Sequence, residues 1–411
     1  MIIVTYIITI LLIIITISII DGSMICKPFK LSIIGGGMSG LSIAMKFIIM
    51  NNNNNNNNKL QIDIYDTRQP GYALASSVAA GLMHPLTPRC SLIWKGERGY
   101  EESMKLLNII QNFIGIDKKL YKTNELLIRP FNNIEEYEMY NRSSLNIPQW
   151  IQMINIDEIA NFIGNHAISD NIIGGAIIKN SININCPLYL NGMWDYISKN
   201  SNSSWISKDI VKEEFNSLCK ESDIVIAACS TGISNLYDRD DNDLVLKNIK
   251  NVRGQNLFIK MTNQDKMNNI INGQYVTCKE LNNEKIYLLG ATHEYMREMK
   301  DLQGPVNINI AKNMLMDGIN MLHKDLKNRN IIGANTGVRL VTSKSKHGRL
   351  PFIRKHKLFE NAWFVGGFGS HGLIHHALIA EIITESILSN NINNIYQELL
   401  EYNLEIVPRS Y

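Results

Sequence analysis

The chain is poor in cysteine and nearly balanced in charge. Its 411 residues include six cysteines (Cys26, Cys90, Cys186, Cys219, Cys229 and Cys278), scattered without a CxxC pair or a His-rich ligand spacing. That excludes a disulfide framework or zinc motif read from spacing; free, mostly buried thiols and no metal are expected. A formal net charge of +3 is too small to imply a nucleic-acid partner by itself. No internal repeat is visible. The length suggests two or three domains, with ample chain to bury a core.

Charge is missing altogether from residues 1–20, an Ile/Leu/Val run long enough to span a bilayer. A basic segment before the run is also missing, and Ile19-Ile20-Asp21-Gly22 is a poor cleavage site. An uncleaved anchor or targeting segment over residues 1–23 is therefore expected. Lys27 and Lys30 follow the run, which puts the body in the cytoplasm. Met24 lies just before the first strand-like run, and a start there would leave a cytoplasmic or organellar protein without the segment. Residues 51–58 are all Asn, and read as a disordered insertion at the end of the sheet away from the ligand edge. Without those eight residues the Gly40-to-Asp66 interval falls from 26 to 18, close to the usual spacing of ~20.

What the chain does contain is a dinucleotide fingerprint in full context: Ile33-Ile34-Gly35-Gly36-Gly37-Met38-Ser39-Gly40, with Asp66 closing the next strand-like run. Leu31, Ile33 and Ile34 supply a buried strand. Gly35 permits the tight turn, Gly37 lets backbone approach a pyrophosphate, and Gly40 lets the helix over residues 41–47 pack close. Its amino end faces the phosphates, and the Asp66 carboxylate can accept from ribose hydroxyls. Residues 222–232 read as a central buried parallel strand, and residues 361–373 as a strand followed by a glycine-rich turn and a helix over 375–389. Short runs at 125–129, 254–259 and 285–290 suit an antiparallel sheet. A second domain inserted twice into the first follows. Nucleotide-binding parts are expected over residues 28–115, 181–245 and 331–390, substrate-domain parts over 116–180 and 246–330, and a tail over 391–411.

Five segments then fall in the order found in FAD-dependent amine and amino-acid oxidases of the D-amino-acid oxidase and glycine oxidase type. They are the fingerprint, Ser76-Ser77-Val78-Ala79-Ala80-Gly81-Leu82-Met83-His84-Pro85, Val252-Arg253-Gly254-Gln255, Gly337-Val338-Arg339, and Gly366-Gly367-Phe368-Gly369-Ser370-His371-Gly372-Leu373. The chain resembles this family over nearly everything after residue 28. Three of these segments look closest to the oxidase half of the bacterial enzyme that finishes 5-methylaminomethyl-2-thiouridine in tRNA, and to plant FAD-dependent oxidoreductases. This chain has no room for that enzyme's methyltransferase half.

The resemblance implies an α/β fold, an FAD-binding Rossmann-like domain with a discontinuous antiparallel substrate domain. It implies FAD as cofactor and oxidation of a C–N bond in an amino acid or secondary amine by hydride transfer to the flavin. Gly35, Gly37, Met38, Ser39, Gly40, Asp66, Ser76, Ser77, Gly81, Leu82, Gly369, Ser370, His371, Gly372 and Leu373 would hold the cofactor. Arg253 and Gln255 would lie in the substrate pocket, and Arg339 would clamp a substrate carboxylate. His371 stands where the family often has Arg. Plainer readings exist: Ser76 and Ser77 as turn residues, Arg253 as a surface ion-pair partner, His84 as a core histidine, His375 and His376 as exposed or packing residues. The basic run over 344–357 reads as a solvated loop or a face for a phosphate-bearing substrate such as tRNA. A nicotinamide-dependent dehydrogenase and a flavin-binding protein without activity are the remaining alternatives.

Overall fold

Two layers of sheet position the site. In the first, six strands lie in the order Phe352–Lys355, Ala362–Gly366, Ile224–Ala227, Phe29–Ile34, Leu60–Asp66 and Asn202–Ser207. All neighbours are parallel except the first pair. The central strands Ala362–Gly366, Ile224–Ala227 and Phe29–Ile34 are short, mostly apolar and largely buried, as a sheet covered by helices requires, whereas edge strand Asn202–Ser207 is polar and has no buried residue. Helices Met38–Asn53, Gly96–Ile114, Cys186–Asn200 and Gly372–Leu388 pack on one another above it. The last buries residues around its whole circumference, from Leu373 to Ser386, which its apolar sequence demands.

The computed structural model describes residues 28–53, 59–237, 243–281, 283–295, 302, 304–391 and 393–395. The expected anchor at 1–20 and most of the expected tail lie outside the described residues. Among the described residues, no helix is long and apolar enough to cross a membrane. The first helix runs to Asn53, so three residues of the Asn tract are helical, and residues 54–58 lie outside the described residues.

The second sheet has nine strands. Its spine is Lys250–Lys260, paired on one edge with Ile331–Val341 and on the other with Glu284–Gly290 and Glu294–Tyr295. Gln274–Leu281, Asn269–Asn272, Leu127–Phe131, Gly174–Ile178 and Ile151–Ile154 follow outward. One junction departs from the antiparallel expectation: Asn269–Asn272 runs parallel to Leu127–Phe131. The segment expected to rejoin the nucleotide domain at residue 331 instead begins with the Ile331–Val341 strand. Its ladder to Lys250–Lys260 runs from Val341↔Lys250 to Ile331↔Ile259. The chain re-enters the first sheet at Phe352. Leu82–Met83, Ile182–Ile184 and Tyr121–Lys122 form a small sheet between the layers. Helix Leu74–Ser77 packs on the Ile331–Val341 strand, where a Cβ on Gly337 would stand 2.6 Å from Val78 Cγ2. A side chain there would push the domains apart.

Candidate active site

The four fingerprint glycines answer different demands. At Gly35, with φ +107°, a Cβ would meet Ala228 O at 2.6 Å. At Gly36 it would overlap the Trp205 ring, and at Gly40 the Gly35 carbonyl. The protein's own packing requires those three. Gly37 is different: a Cβ there would meet only Ser76 Oγ at 3.3 Å and Ala73 Cβ at 3.9 Å. The space it leaves is not filled by protein. Beside it, the Ser39 hydroxyl is buried without a hydrogen-bond partner. Open space, an orphan hydroxyl and the positive end of helix Met38–Asn53 fit a pyrophosphate.

The neighbouring side chains brace this cradle. Met38 N donates to Ser76 Oγ at 3.1 Å, so Ser76 ties helix Leu74–Ser77 to the fingerprint. The Ser77 hydroxyl donates to Ala73 O, back into its own turn. Asp66 closes the second strand, its Oδ2 accepting from Gly36 N at 2.8 Å and its Oδ1 from Arg68 N at 2.9 Å. The carboxylate thus holds the loop, and its remaining lone pairs are those a ribose hydroxyl would use.

The other end of the cradle is built from the later motifs. Gly81 adopts φ +83°, and a Cβ there would sit 2.5 Å from Lys279 Nζ and overlap Ile184 O. Leu82 follows, paired with Asn183. Gly369 adopts φ +54° and its N–H donates to Leu340 O at 3.1 Å, which seats the turn against the long strand. Ser370 is exposed. Helix Gly372–Leu388 starts at His371 without a side-chain cap, with Leu373 buried in its first turn. Its first amides therefore stand ready for an electron-rich acceptor. Burial lowers the His371 pKa, so the ring that replaces the family's Arg is neutral. His84 is pulled to about 4 by desolvation, with His371 and Arg129 adding, and its Nδ1 accepts from Leu86 N at 3.3 Å. His375 and His376 are buried packing residues: His375 Nε2 lies 2.9 Å from Trp94 O and His376 Nε2 lies 3.0 Å from Tyr189 OH.

Strand alternation separates the two arginines. Val252, Gly254 and Asn256 stand opposite Arg339, Gly337 and Asn335 on one face, while Arg253 and Gln255 stand opposite Val338 and Thr336 on the other. The first face meets the nucleotide domain, because Asn256 Nδ2 donates to Val78 O at 3.0 Å and Gly337 touches helix Leu74–Ser77. Arg253 and Gln255, expected in the substrate pocket, therefore lie on the face turned away from the nucleotide domain. Arg253 is not a surface residue. It is buried, donating to Thr336 Oγ1 at 3.1 Å, Gly304 O at 3.0 Å and Pro305 O at 2.5 Å. Gln255 is fully buried, its amide donating to Glu294 Oε1 at 2.9 Å and accepting from Asn307 N at 2.7 Å.

Arg339 is half-buried on the face that meets the nucleotide domain. Its Nη2 donates to Thr292 O at 3.2 Å, and no described carboxylate pairs with it. Desolvation lowers its pKa, with Tyr275 and Tyr295 opposing. Tyr275 OH donates to Asn256 Oδ1 at 2.7 Å, and burial pushes its pKa up. Along the same strand and face lie Thr277, whose hydroxyl is buried and unpartnered, and Lys279. Lys279 Nζ donates to Asn183 Oδ1 at 2.7 Å and Ile184 O at 2.9 Å, while burial lowers its pKa. Sequence reading missed Asn256, Tyr275 and Lys279. No strand was read over residues 274–281, and no local signal said which of its faces meets the nucleotide domain.

The basic run over 344–357 is partly engaged by the protein itself. Arg354 Nε pairs with Asp243 at 3.0 Å, Lys355 pairs with Glu360, and Arg349 donates to Thr342 O.

Residues 30–386 match the FAD dependent oxidoreductase family, and the chain belongs to it. FAD is its cofactor. The fold is similar to that of glycine oxidase from Bacillus cereus ATCC 14579 (TM-score 0.68, 16% identity), covering 93% of this chain and 99% of that one. It is also similar to iminodiacetate oxidase from Chelativorans sp. BNC1 (TM-score 0.64, 13% identity, covering 87% and 95%). A third similar structure is L-alpha-glycerophosphate oxidase from Mycoplasma pneumoniae with FAD bound (TM-score 0.59, 14% identity, covering 86% and 95%). No curated protein matches the chain.

Proposed function

We propose that this oxidoreductase oxidises the C–N bond of an amino acid or secondary amine that carries a carboxylate, and that Arg339 holds the carboxylate. The observation that carries the reading is Arg339 itself. A half-buried guanidinium at the domain junction, bonded to a neutral carbonyl and paired with no described acid, is an incomplete ion pair. A planar carboxylate completes it with two parallel hydrogen bonds. Bound FAD supplies the two-electron acceptor. The chain's residues supply orientation: Tyr275 and Asn256, hydrogen-bonded to each other, flank the position Arg339 serves. The amine gives its proton to water and binds neutral, so its nitrogen lone pair is free to assist C–H cleavage; burial keeps Tyr275 a neutral phenol, which places no anion beside it. Glycine and iminodiacetate, named for two similar proteins, each place a carboxylate one carbon from the amine.

The experiment is an anaerobic screen of amines and amino acids for bleaching of the flavin in the purified protein. Carboxylate-bearing amines should bleach it, and bleaching only by amines without a carboxylate would overturn the reading. Anchoring through residues 1–20 with a cytoplasmic body belongs to the same proposal. Glycosylation at Asn141-Arg142-Ser143 or Asn202-Ser203-Ser204 in cells would reverse that orientation, and a native chain beginning at Met24 would remove the anchor.

A further inference from the structure

Three side chains far apart in sequence meet at the end of the large sheet away from Arg339. His166 lies in the turn Asn165–Ala167, Asp265 in the loop before strand Asn269–Asn272, and His323 at the carboxyl end of helix Ile308–Leu322. One ligand atom from each lies within 4.8 Å of the other two. His166 Nε2 is 3.3 Å from Asp265 Oδ1, and the His166 and His323 rings meet edge-on with centroids 5.9 Å apart.

His323 is the informative member. It is fully buried, and neither ring nitrogen has a hydrogen-bond partner. Buried polar groups are nearly always partnered, so two orphan nitrogens on one ring point to a missing partner. The Asp265 carboxylate is completely buried, whereas the His166 side chain is 30% exposed and opens the cluster to solvent. We propose that His166, Asp265 and His323 form a binding site for a divalent transition-metal ion of the Zn2+ type. Two imidazoles and one carboxylate suit zinc and its neighbours; calcium and magnesium prefer all-oxygen shells. Water entering past His166 supplies the fourth ligand.

Arg329 must be accommodated. It donates to Asp265 Oδ2 at 2.5 Å and to Oδ1 at 2.8 Å, and it also bonds Asp325 Oδ2, through Nε at 2.9 Å and Nη2 at 2.5 Å. Because Asp325 holds it independently, Arg329 can keep Oδ2 and release Oδ1 to the ion. The two carboxylates outweigh the one guanidinium, so the cluster is net negative before a cation arrives. Zinc–nitrogen bonds of about 2.0–2.1 Å bring ligand atoms closer than 4.8 Å, and the exposed His166 is the residue free to swing inward.

The ion would be structural. Arg329 precedes strand Ile331–Val341 by two residues, and Arg339 lies eight residues into it, about 26 Å away at ~3.3 Å per residue. The site joins the turn after helix Ile156–Ile163, the 262–268 loop and helix Ile308–Leu322, three elements around one apolar cluster.

The test uses full-length, tag-free, FAD-loaded protein stripped with a chelator and titrated calorimetrically with Zn2+. One ion per chain should bind with Kd of about 1 μM or tighter, and the thermal midpoint should rise with added zinc. His166→Ala, at a partly exposed turn, should fold and keep its flavin spectrum yet bind at least about tenfold more weakly. Mg2+ and Ca2+ should not substitute. No saturable binding of one equivalent, or the same affinity in His166→Ala as in the unaltered protein, would overturn the assignment.

Discussion

Arg339 stands directly opposite Val252 across the long antiparallel ladder, one position out of step with Arg253. The two arginines therefore serve opposite faces of one sheet. Arg253 ties the 304–305 backbone and Thr336 together and lies 4.0 Å from buried Glu294. Arg253→Ala should lower stability by about 2–4 kcal/mol, because it strands buried acceptors. Denaturant unfolding would show this. The protein that remains folded should keep its substrate KM within about threefold, under 1 kcal/mol. A specific loss of substrate affinity at unchanged stability would return Arg253 to the pocket.

The fingerprint glycines should separate by experiment. Gly40→Ala would force a methyl into the Gly35 carbonyl and should damage folding itself. Gly37→Val meets no protein atom nearer than the Ser76 hydroxyl at first contact, so the apoprotein should fold with a thermal midpoint near that of the unaltered apoprotein. Its FAD affinity should fall by about 100-fold or more, about 3 kcal/mol. Flavin fluorescence on titration with FAD measures this. A yellow, FAD-saturated Gly37→Val protein would show that the pyrophosphate lies elsewhere.

A buried carboxylate pair gives a pH signature. Glu102, Lys46 and Glu381 meet between helices Gly96–Ile114, Met38–Asn53 and Gly372–Leu388, with Lys46 Nζ 2.8 Å from Glu102 and 3.9 Å from Glu381. Desolvation raises Glu102, but hydrogen bonds from Lys105 and Lys46 outweigh it and hold it at about 2. Desolvation and the hydrogen bond to Glu102 push Glu381 up to about 7. The folded protein thus keeps a proton on Glu381 that the unfolded chain releases near its ordinary 4.5. Stability from this group is full below about pH 4.5 and is lost as pH rises through about 7. Glu381→Gln should be more stable than the unaltered protein above pH 7, by about 1–2 kcal/mol after screening, and the gain should vanish below pH 4.5. Thermal midpoints from pH 4 to 9 check the sign. A gain that is independent of pH would place the effect in packing.

Much of the first domain was legible because its signals are local. Strand, glycines, helix and acid follow one another within residues 29–66, and each glycine in that run has a contact or a space that explains it. The motif over residues 366–373 was legible for the same reason. The substrate face was not. Arg253 and Gln255 were chosen, yet Gly254 and Asn256 lie on the face that meets the nucleotide domain, because a strand's parity is fixed only by its ladder to a partner about 80 residues away. Lys279 reaches the Gly81 turn through Asn183 and Ile184, three segments that nothing local connects. The His166, Asp265 and His323 cluster was invisible to a search by spacing, since its members are 99 and 58 residues apart.

The central claim, that Arg339 reads a substrate carboxylate beside the flavin, is tested most directly by anaerobic single-turnover reduction of Arg339→Leu. The substrate is the best carboxylate-bearing amine from the screen, compared with its analogue lacking the carboxylate. Truncating one partner of a desolvated charge pair costs about 2–5 kcal/mol. FAD content and thermal midpoint should hold, and kcat/KM on the carboxylate substrate should fall by about 30-fold or more, with little change for the analogue. Arg339→Lys should recover little, since an ammonium lacks the bidentate geometry. Equal losses on both substrates, or loss of the flavin, would contradict the claim and make Arg339 a residue that orders the site or holds the cofactor.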